Sequence, residues 1–214
     1  MVDLGGHPLI EWTMVVAKQC GDLDRIVVSS DDVEVLELAR RQQLLPLKRP
    51  SSLASDEATT DSVIRHCLDE FPSYDYLVLL QPTSPFRTSE QVTAALTNLR
   101  SSNFEAVISV AASKEHPELL VRLEDGGGLR YVVSGKVAQR RQEFRPTYRL
   151  NGAFYALKVA AFLRVGAISE MSAQAFPMDA VTSMDIDTWG DLQHCREHVS
   201  KNVVKFPLYH SVSE

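Results

Sequence analysis

Two aspartates, Asp185 and Asp187, are the side chains of this sequence that indicate chemistry most directly. The apolar spacing around them predicts a last strand over about residues 180–186, and alternate strand residues point to the same face. Both carboxylates would then converge while Ile186 faces the core. Paired carboxylates suit a Mg²⁺ ion that bridges phosphate groups, because Mg²⁺ takes few hard oxygen ligands and keeps water or phosphate around it. Solvated acids before a helix are the alternative interpretation.

A second candidate is the loop of residues 81–85, Gln-Pro-Thr-Ser-Pro, which follows the most apolar segment of the chain. Two prolines stiffen it, and its amide and hydroxyl groups offer neutral hydrogen bonds that suit the hydroxyls of a sugar. The alternative is a rigid turn whose polar groups bond only to the backbone.

A basic run lies between residues 136 and 149. Its five cations are Lys136, Arg140, Arg141, Arg145 and Arg149, and its one anion is Glu143. The run therefore carries +4 in a protein of net charge −6, which leaves −10 for the rest. Such an island suits a small anionic ligand, since arginine binds carboxylate and phosphate bidentately. A solvated charged loop is the commoner meaning of a charge run.

The closing helix contains His194, Glu197 and His198 at the H-x-x-E-H spacing of some zinc enzymes. No third protein ligand is defined by the sequence. We therefore favour a chance match on the helix surface over a zinc site.

Composition narrows the class of protein. The 214 residues are 44% hydrophobic and 23% charged, as in globular proteins, and no apolar run approaches the roughly 20 residues that span a bilayer. The N-terminus lacks the basic-then-apolar order of a secretory signal. The acidic net charge argues against nucleic-acid binding. Three widely spaced cysteines predict a reducing, cytoplasmic location.

Strand and helix patterns alternate, which predicts a three-layer α/β sandwich with right-handed crossovers. The predicted helices cover residues 8–20, 31–41 with an Asp31–Glu34 capping box, 60–71, a segment capped by Thr88 and Gln91, 159–165, and a last helix to 199 capped by Thr188 and Asp191. Besides 180–186, the predicted strands are 25–29, 76–80, 106–110 and 148–157. Because residues 76–80 are apolar throughout, we expect a central parallel strand covered on both faces.

The alternation breaks over residues 113–147, where two apolar segments flank Gly126-Gly127-Gly128 and predict an antiparallel hairpin. We therefore divide the chain into an α/β domain of residues 1–112 and 148–200, an inserted lid or dimerisation segment of 113–147, and a tail of 201–214.

Seven stretches together resemble the acylneuraminate cytidylyltransferases, the CMP-sialic acid synthetase family. They are LGGHPLI (4–10), VVSSDD (27–32), RPSSLASD (49–56), LQPTSP (80–85), RRQ (140–142), YRLNGA (148–153) and MDIDT (184–188), in the family's order. The resemblance implies a Rossmann-like nucleotidyltransferase sandwich, α/β/α in layers, in which residues 113–147 form an antiparallel dimerisation excursion. It further implies a homodimer.

The resemblance also implies a reaction, in which the anomeric hydroxyl of a nine-carbon keto acid sugar attacks the α-phosphate of CTP and pyrophosphate leaves. Carried over by motif, Asp185 and Asp187 would be the catalytic residues that hold Mg²⁺. The cytidine would be bound by Arg49, Ala58 and Thr60, and the sugar by Gln81, Arg141 and Asn151.

The chain departs from the family at its start. Family members begin with a strand and a glycine- and lysine-containing loop that wraps the CTP phosphates, and this sequence starts just beyond that loop. We therefore expect the 214 residues alone to have little or no synthetase activity. Two alternatives stay open: a non-catalytic binding or assembly subunit, and a synthetase for legionaminic or pseudaminic acid. An eight-carbon keto acid is less favoured.

Overall fold

Helices lie on both faces of a four-stranded sheet in the computed structural model, which describes residues 1–55, 57–133 and 145–207. The strands are β1 Asp3–Leu4, β2 His7–Pro8, β3 Val27–Ser30, β4 Leu45–Lys48, β5 Tyr76–Leu79, β6 Ala106–Ala112, β7 Val121–Leu123, β8 Leu129–Tyr131, β9 Tyr148–Lys158 and β10 Ala173–Met178. The helices are α1 Leu9–Gln19, α2 Val33–Arg41, α3 Thr60–Glu70, α4 Ser89–Ser101, α5 Val159–Val165 and α6 Trp189–Ser200. None of these helices combines the length and apolar character needed to cross a bilayer.

The four-stranded sheet has the order β10-β6-β9-β5. Strand β10 runs parallel to β6, whereas β9 is antiparallel to both of its neighbours. Helices α1 and α4 pack on one face, where Val92, Leu96 and Leu99 recur at helical spacing and are buried. Helices α3 and α5 cover the other face through Leu68 and Phe162. The three-layer α/β sandwich predicted from the alternation is confirmed.

The prediction of a central parallel strand at residues 76–80 is wrong. Strand β5 pairs antiparallel with β9 and ends the order of the sheet, and its residues are only half-buried. Antiparallel pairing arises because the long strand β9 returns through the sheet between β5 and β6. Both faces of β5 nevertheless contact the core: Tyr76 and Val78 pack on the cluster of α1 and α4, and Leu77 and Leu79 pack on that of α3 and α5.

Strands β3 and β4 form a separate, parallel two-stranded sheet. The carbonyls of Ile26 and Ser30 accept the N–H groups of Leu45 and Arg49, at the two ends of β4. Because successive residues of a strand direct their backbone groups to opposite edges, Val27 and Ser29 present theirs away from β4. This outer edge of β3 has no backbone partner in the ranges that the structure describes.

The outer edge of β5, the edge away from β9, also has no backbone partner among the described residues. The carbonyl of Asp75 accepts the N–H of Val159, so the backbone groups of Asp75, Leu77 and Leu79 point towards β9. Tyr76 and Val78 therefore direct their backbone groups away from β9. We call the space between the outer edges of β3 and β5 the interstrand slot; residues of both strands line one cavity there.

The predicted last strand, residues 180–186, is also wrong. The strand is β10, Ala173–Met178, and the chain then turns at Asp179, whose Oδ1 accepts the N–H groups of Val181 and Thr182 at 2.9 and 3.0 Å. Pro177 concealed the strand in the sequence. A proline is tolerated there because β10 lies at the edge of the sheet. Asp185 and Asp187 therefore lie on a loop.

Two of the three predicted capping boxes are confirmed. Thr88 with Gln91 begins α4, and Thr188 with Asp191 begins α6, where the threonine's hydrogen bonds hold the pKa of the Asp191 carboxyl below its usual value. The box at Asp31 is wrong, since Asp32 caps α2 and accepts the N–H of Glu34 at 2.7 Å. An aspartate can cap the second helical residue as readily as the third.

The hairpin predicted around the three glycines is confirmed as β7 and β8, which pair antiparallel. It carries solvent-exposed apolar side chains, of which Leu123 is 83% and Leu129 58% exposed. Past α6, the first part of the predicted tail packs on the core. There the ring of Phe206 stacks on His7 at a centroid distance of 3.6 Å and meets Trp12 edge-on.

Candidate active site

A cavity of about 950 Å³ runs between β3 and β5 and holds four of the residues predicted for the site. Arg49, Ala58, Thr60 and Gln81 all line it, although they come from three separate loops of the sequence. Ligands of open α/β sheets bind at the carboxyl ends of strands, which is where Gln81 and Arg49 follow β5 and β4. The fold therefore brings the predicted nucleotide residues together.

Arg49 is held by the end of β3. Its backbone N–H donates to the carbonyl of Ser30 at 2.9 Å, and its Nη2 and Nε donate to Ser29 O and Oγ at 2.8 and 3.3 Å. A guanidinium has five N–H donors, so these contacts fix its direction and leave donors for an anion. Arg49 is thus an oriented positive charge on the cavity wall.

Ala58 and Thr60 lie where the chain enters α3. The N–H of Ala58 donates to Ser55 O at 3.0 Å, and Thr59 caps the helix by accepting the N–H of Ser62. Thr60 is the first residue of the helix. Free N–H groups of a first helical turn favour negative charge, so this wall is compatible with phosphate or a polar base edge.

Gln81 joins the cavity to a second group of residues. Its side-chain oxygen lies directly over Gly152, where an added Cβ would overlap it. Gly152 has φ of +70°, a conformation that glycine adopts without the steric cost of a side chain. It lies in a bulge of β9, at which the register with β6 shifts between Ile108 and Val110.

Ser84 connects this loop to the acidic pair. The buried hydroxyl lies 2.8 Å from the carbonyl of Asn151 and 3.0 Å from Oδ1 of Asp185. Its single proton is shared between these two acceptors. The N–H of Ile186 also donates to Thr83 O at 2.8 Å. The loop after β5 and the loop of Asp185 are therefore fixed to each other.

The two aspartates differ in their surroundings. Asp185 is half-buried beside Ser84, whereas Asp187 is exposed, and its N–H donates to Asp191 Oδ2 at 3.3 Å. Burial, and secondarily the charge of Asp185, raise the pKa of the Tyr155 hydroxyl. Two carboxylates on one short loop form a donor set that suits Mg²⁺, which takes one or two carboxylates and completes its shell with water and phosphate.

Of the other two predicted sugar residues, the structure describes only Asn151. Asn151 is fully buried: its Nδ2 lies 3.3 Å from Met178 Sδ, and its Oδ1 accepts the N–H of Ala153 at 3.3 Å. Its side chain supports the bulge, and direct contact with a sugar stays a prediction. Arg141 lies outside the described residues.

The sequence reasoning missed Arg87, which is 2% exposed. Its Nη1 donates to Thr13 Oγ1 at 2.8 Å, and its Nη2 donates to the carbonyl of Gln81. Burial lowers the pKa of the guanidinium to about 9, while the charge of Asp185 acts to raise it. Gly152 was also missed as an individual residue, although it stands in the NGA stretch that carried part of the resemblance.

The profile of the cytidylyltransferase family matches residues 1–181. The chain belongs to the cytidylyltransferase family. It is 29% identical over 201 residues to the N-acylneuraminate cytidylyltransferase of Streptococcus agalactiae serotype V, covering 93% of this chain and 49% of that protein. The chain thus spans about half the length of the first curated relatives it matches. The resemblance to the acylneuraminate cytidylyltransferases is confirmed.

A second cytidylyltransferase relative is the CMP-N,N'-diacetyllegionaminic acid synthase of Legionella pneumophila. It is 27% identical over 194 residues, which cover 86% of this chain and 82% of that one. Among solved structures, a CMP:2-keto-3-deoxy-manno-octonic acid synthetase complexed with CTP superposes with a TM-score of 0.70 at 15% identity, covering 94% of this chain and 91% of the other. That likeness confirms the nucleotidyltransferase fold.

Among the described residues, the H-x-x-E-H stretch belongs to no cluster of side chains that could hold a metal. His198 Nδ1 bonds to the carbonyl of His194 at 2.9 Å, and Glu197 pairs with Lys201. The interpretation of a chance surface match stays a prediction.

Proposed function

We propose that this chain is a cytidylyltransferase that joins CMP to a nonulosonic acid of the sialic type and releases pyrophosphate. The observation that carries the proposal is the position of Gln81. It lines the cavity that holds Arg49 and also lies over Gly152, beside the loop of Asp185. A single side chain thus borders a nucleotide-sized cavity and an acidic loop, as transfer between two substrates requires.

For the nucleotide we propose the wall of Arg49, Ala58 and Thr60. The oriented guanidinium of Arg49 supplies donors to the cytidine or its phosphates, and the first turn of α3 supplies backbone N–H groups. The CTP bound in the structural neighbour with the same fold supports this choice of ligand for the cavity.

For the sugar we propose Gln81, with Arg141 and Asn151 in or near its site. The amide of Gln81 can donate to and accept from sugar hydroxyls. Arg141 would attract the carboxylate that distinguishes keto acid sugars. The relatives act on N-acylneuraminic and diacetyllegionaminic acids by their names, so legionaminic or pseudaminic acid is an alternative substrate within the same chemistry.

For the metal we propose Mg²⁺ held by Asp185 and Asp187. The fit rests on two adjacent carboxylates, of which Asp185 is oriented by Ser84 and Asp187 is exposed to solvent. When bound, Mg²⁺ neutralises phosphate charge in nucleotidyl transfer. The two carboxylates would be the catalytic residues in this sense.

The transfer itself needs positioning more than covalent chemistry by the protein. The anomeric hydroxyl oxygen of the sugar forms a bond to the α-phosphorus of CTP, and the bond from that phosphorus to its bridging oxygen breaks. Pyrophosphate takes the electron pair, and the hydroxyl proton passes to solvent. Gln81 orients the attacking sugar, while Arg49 fixes the nucleotide.

We also propose a homodimer formed through residues 113–147. Contiguous exposed apolar side chains on a hairpin commonly mark a protein contact. The described part of this segment carries Leu119, Leu120, Val121, Leu123, Leu129, Tyr131, Val132 and Val133, all at least 40% exposed. The same surface supports the alternative function, a non-catalytic binding or assembly subunit.

A cytoplasmic location fits the cysteines. Cys20, Cys67 and Cys195 are all free, as expected in a reducing compartment. Burial raises the pKa of the Cys20 and Cys195 thiols to about 11, which leaves them protonated and unreactive at neutral pH.

Calorimetry on the 214-residue chain separates the enzyme from the assembly subunit. We expect micromolar binding of CTP with Mg²⁺ and much weaker binding of UTP and ATP. Arg49→Met should weaken CTP binding, whereas Arg40→Met, at an exposed position of α2 that does not line the cavity, should leave it unchanged. A chain that binds none of the three nucleotides, yet dimerises, would favour the subunit.

A further inference from the structure

Arg87 has a buried guanidinium beside the candidate site, and the proposed reaction gives this charged group no role. Among the described residues it forms no ion pair within 4 Å, although the charge of Asp185 acts on it, and its Nε has no hydrogen-bond partner. Burying a cation without an ion-pair partner costs free energy of folding. We therefore expect the hydrogen bonds of Arg87 to stabilise a specific part of the fold. Those bonds go to Thr13 on α1 and to the carbonyl of Gln81.

These two contacts fix the backbone of Gln81 from beneath. Helix α1 is part of the core, and Thr13 is itself buried, so Arg87 ties the loop to a rigid support. The same carbonyl lies 3.4 Å from the N–H of Ser84, which closes the turn. Arginine suits this position because its planar fork reaches two acceptors in fixed directions.

Gly152 leaves room for the other end of Gln81, the side-chain amide. With φ of +70° and no Cβ, it leaves the space that Oε1 of Gln81 occupies. The bulge holding Gly152 is itself braced, since Ser109 Oγ accepts the N–H of Phe154 at 2.9 Å and lies 3.0 Å from its carbonyl. Both ends of Gln81 therefore rest on preformed structure.

We propose that Arg87 and Gly152 are positioning residues, which hold Gln81 in the orientation that binds the sugar. Neither contacts the sugar, and each acts through Gln81. This inference rests on the proposed function for its sugar, but the restraint on the loop can be measured without any ligand.

The first measurement is amide hydrogen exchange of residues 81–86 in the 214-residue chain. Arg87→Met and Gly152→Ala should each speed exchange of this loop by about tenfold, because the first loses restraining hydrogen bonds and the second places a Cβ where Gln81 Oε1 lies. Arg87→Lys should fall between, since an ammonium cannot reproduce the fork. The controls are Arg40→Met, at an exposed position of α2, and Gly166→Ala; Gly166 has a φ of +86°, and the side chain nearest to it is that of Arg65.

The second measurement is the dissociation constant of N-acetylneuraminic acid, followed by ligand-observed NMR with CTP present. Gly152→Ala should weaken sugar binding about tenfold while CTP binding changes less than about twofold. In a Gln81→Ala background, the same substitution should change sugar binding by less than about twofold, because two residues that act through one group are not additive.

Unchanged loop exchange in both Arg87→Met and Gly152→Ala would overturn the proposal. So would a Gly152→Ala effect on sugar binding that is the same with and without Gln81, since it would then arise from backbone strain alone. If the unaltered chain binds no nonulosonic acid, the proposed function fails, and the exchange measurement still decides the role of the two residues.

Discussion

The hydroxyl of Ser84 lies 3.0 Å from Oδ1 of Asp185, although the two residues are 101 positions apart in the chain. This contact joins the loop after β5 to the loop after β10, and its donor, the Ser84 hydroxyl, belongs to a fully buried residue, which strengthens the hydrogen bond. The acidic pair is thereby oriented by the loop proposed to bind the sugar.

Ser84→Ala should therefore release the half-buried Asp185 carboxylate and leave the carbonyl of the buried Asn151 without its hydroxyl donor. We expect a loss of about 1–3 kcal/mol in the free energy of unfolding, the usual cost of an unpaired buried polar group. Urea denaturation measures it. Ser101→Ala is the matched control, because Ser101 is an exposed helix residue whose hydroxyl bonds only to backbone. Equal stability of Ser84→Ala and the unaltered chain would contradict the contact.

Asp187→Asn should remove the effect of Mg²⁺ on CTP binding. If Asp185 and Asp187 hold the ion, Mg²⁺ tightens CTP binding in the unaltered chain and not in this variant, because an amide is a poor substitute for a hard anionic ligand. Calorimetry with and without Mg²⁺ checks the difference. Asp125→Asn, in the exposed turn between β7 and β8 and outside the cavity lining, is the control. An undiminished Mg²⁺ effect in Asp187→Asn would count against this metal site.

The elements that the sequence predicted correctly are those whose signals are local. The capping boxes at Thr88 and Thr188 need only residues three positions apart, and the apolar spacing of α4 needs one helix face. Long-range pairing is different. The all-apolar segment of β5 could not reveal that β9 runs antiparallel beside it, since nothing within the segment depends on its partner.

The candidate site shows the same division. The sequence indicates the 81–85 loop and the two aspartates, because each is a group of polar residues beside an apolar segment. It does not indicate Arg87, because the importance of that residue comes from burial against Thr13, which lies 74 positions away. Gly152 matters through its φ angle and through Gln81, neither of which a lone glycine in a sequence can show.

The unpaired strand edges that face the interstrand slot should be poorly protected against amide hydrogen exchange. Amides of Val27, Ser29 and Val78 face the slot, whereas those of Leu77 and Leu79 bond to β9. In the 214-residue chain the slot-facing amides should exchange at least tenfold faster, because exchange of paired amides requires opening of the sheet. Residue-resolved hydrogen exchange by NMR tests this. Equal protection on both edges of β5 would show that the slot is closed in solution.

Leu123→Arg should dissociate the proposed homodimer. Leu123 is 83% exposed on β7, so the substitution costs the monomer little but would bury a charge at an apolar interface. Light scattering coupled to size exclusion measures the mass. Leu163→Arg, at an exposed position of α5 outside the hairpin, is the control. A monomeric unaltered chain, or an unchanged mass in Leu123→Arg, would remove the hairpin as the interface.

The central claim is the formation of a CMP-sugar, and ³¹P NMR of a reaction with CTP, Mg²⁺ and a nonulosonic acid tests it most directly. N-acetylneuraminic, legionaminic and pseudaminic acids would be supplied in parallel. The natural protein that contains these 214 residues would be compared with its Gln81→Ala variant. We predict equal amounts of CMP-sugar and pyrophosphate from that protein, and a large loss of both products with Gln81→Ala. No CMP-sugar from that protein with any of the three acids would contradict the account.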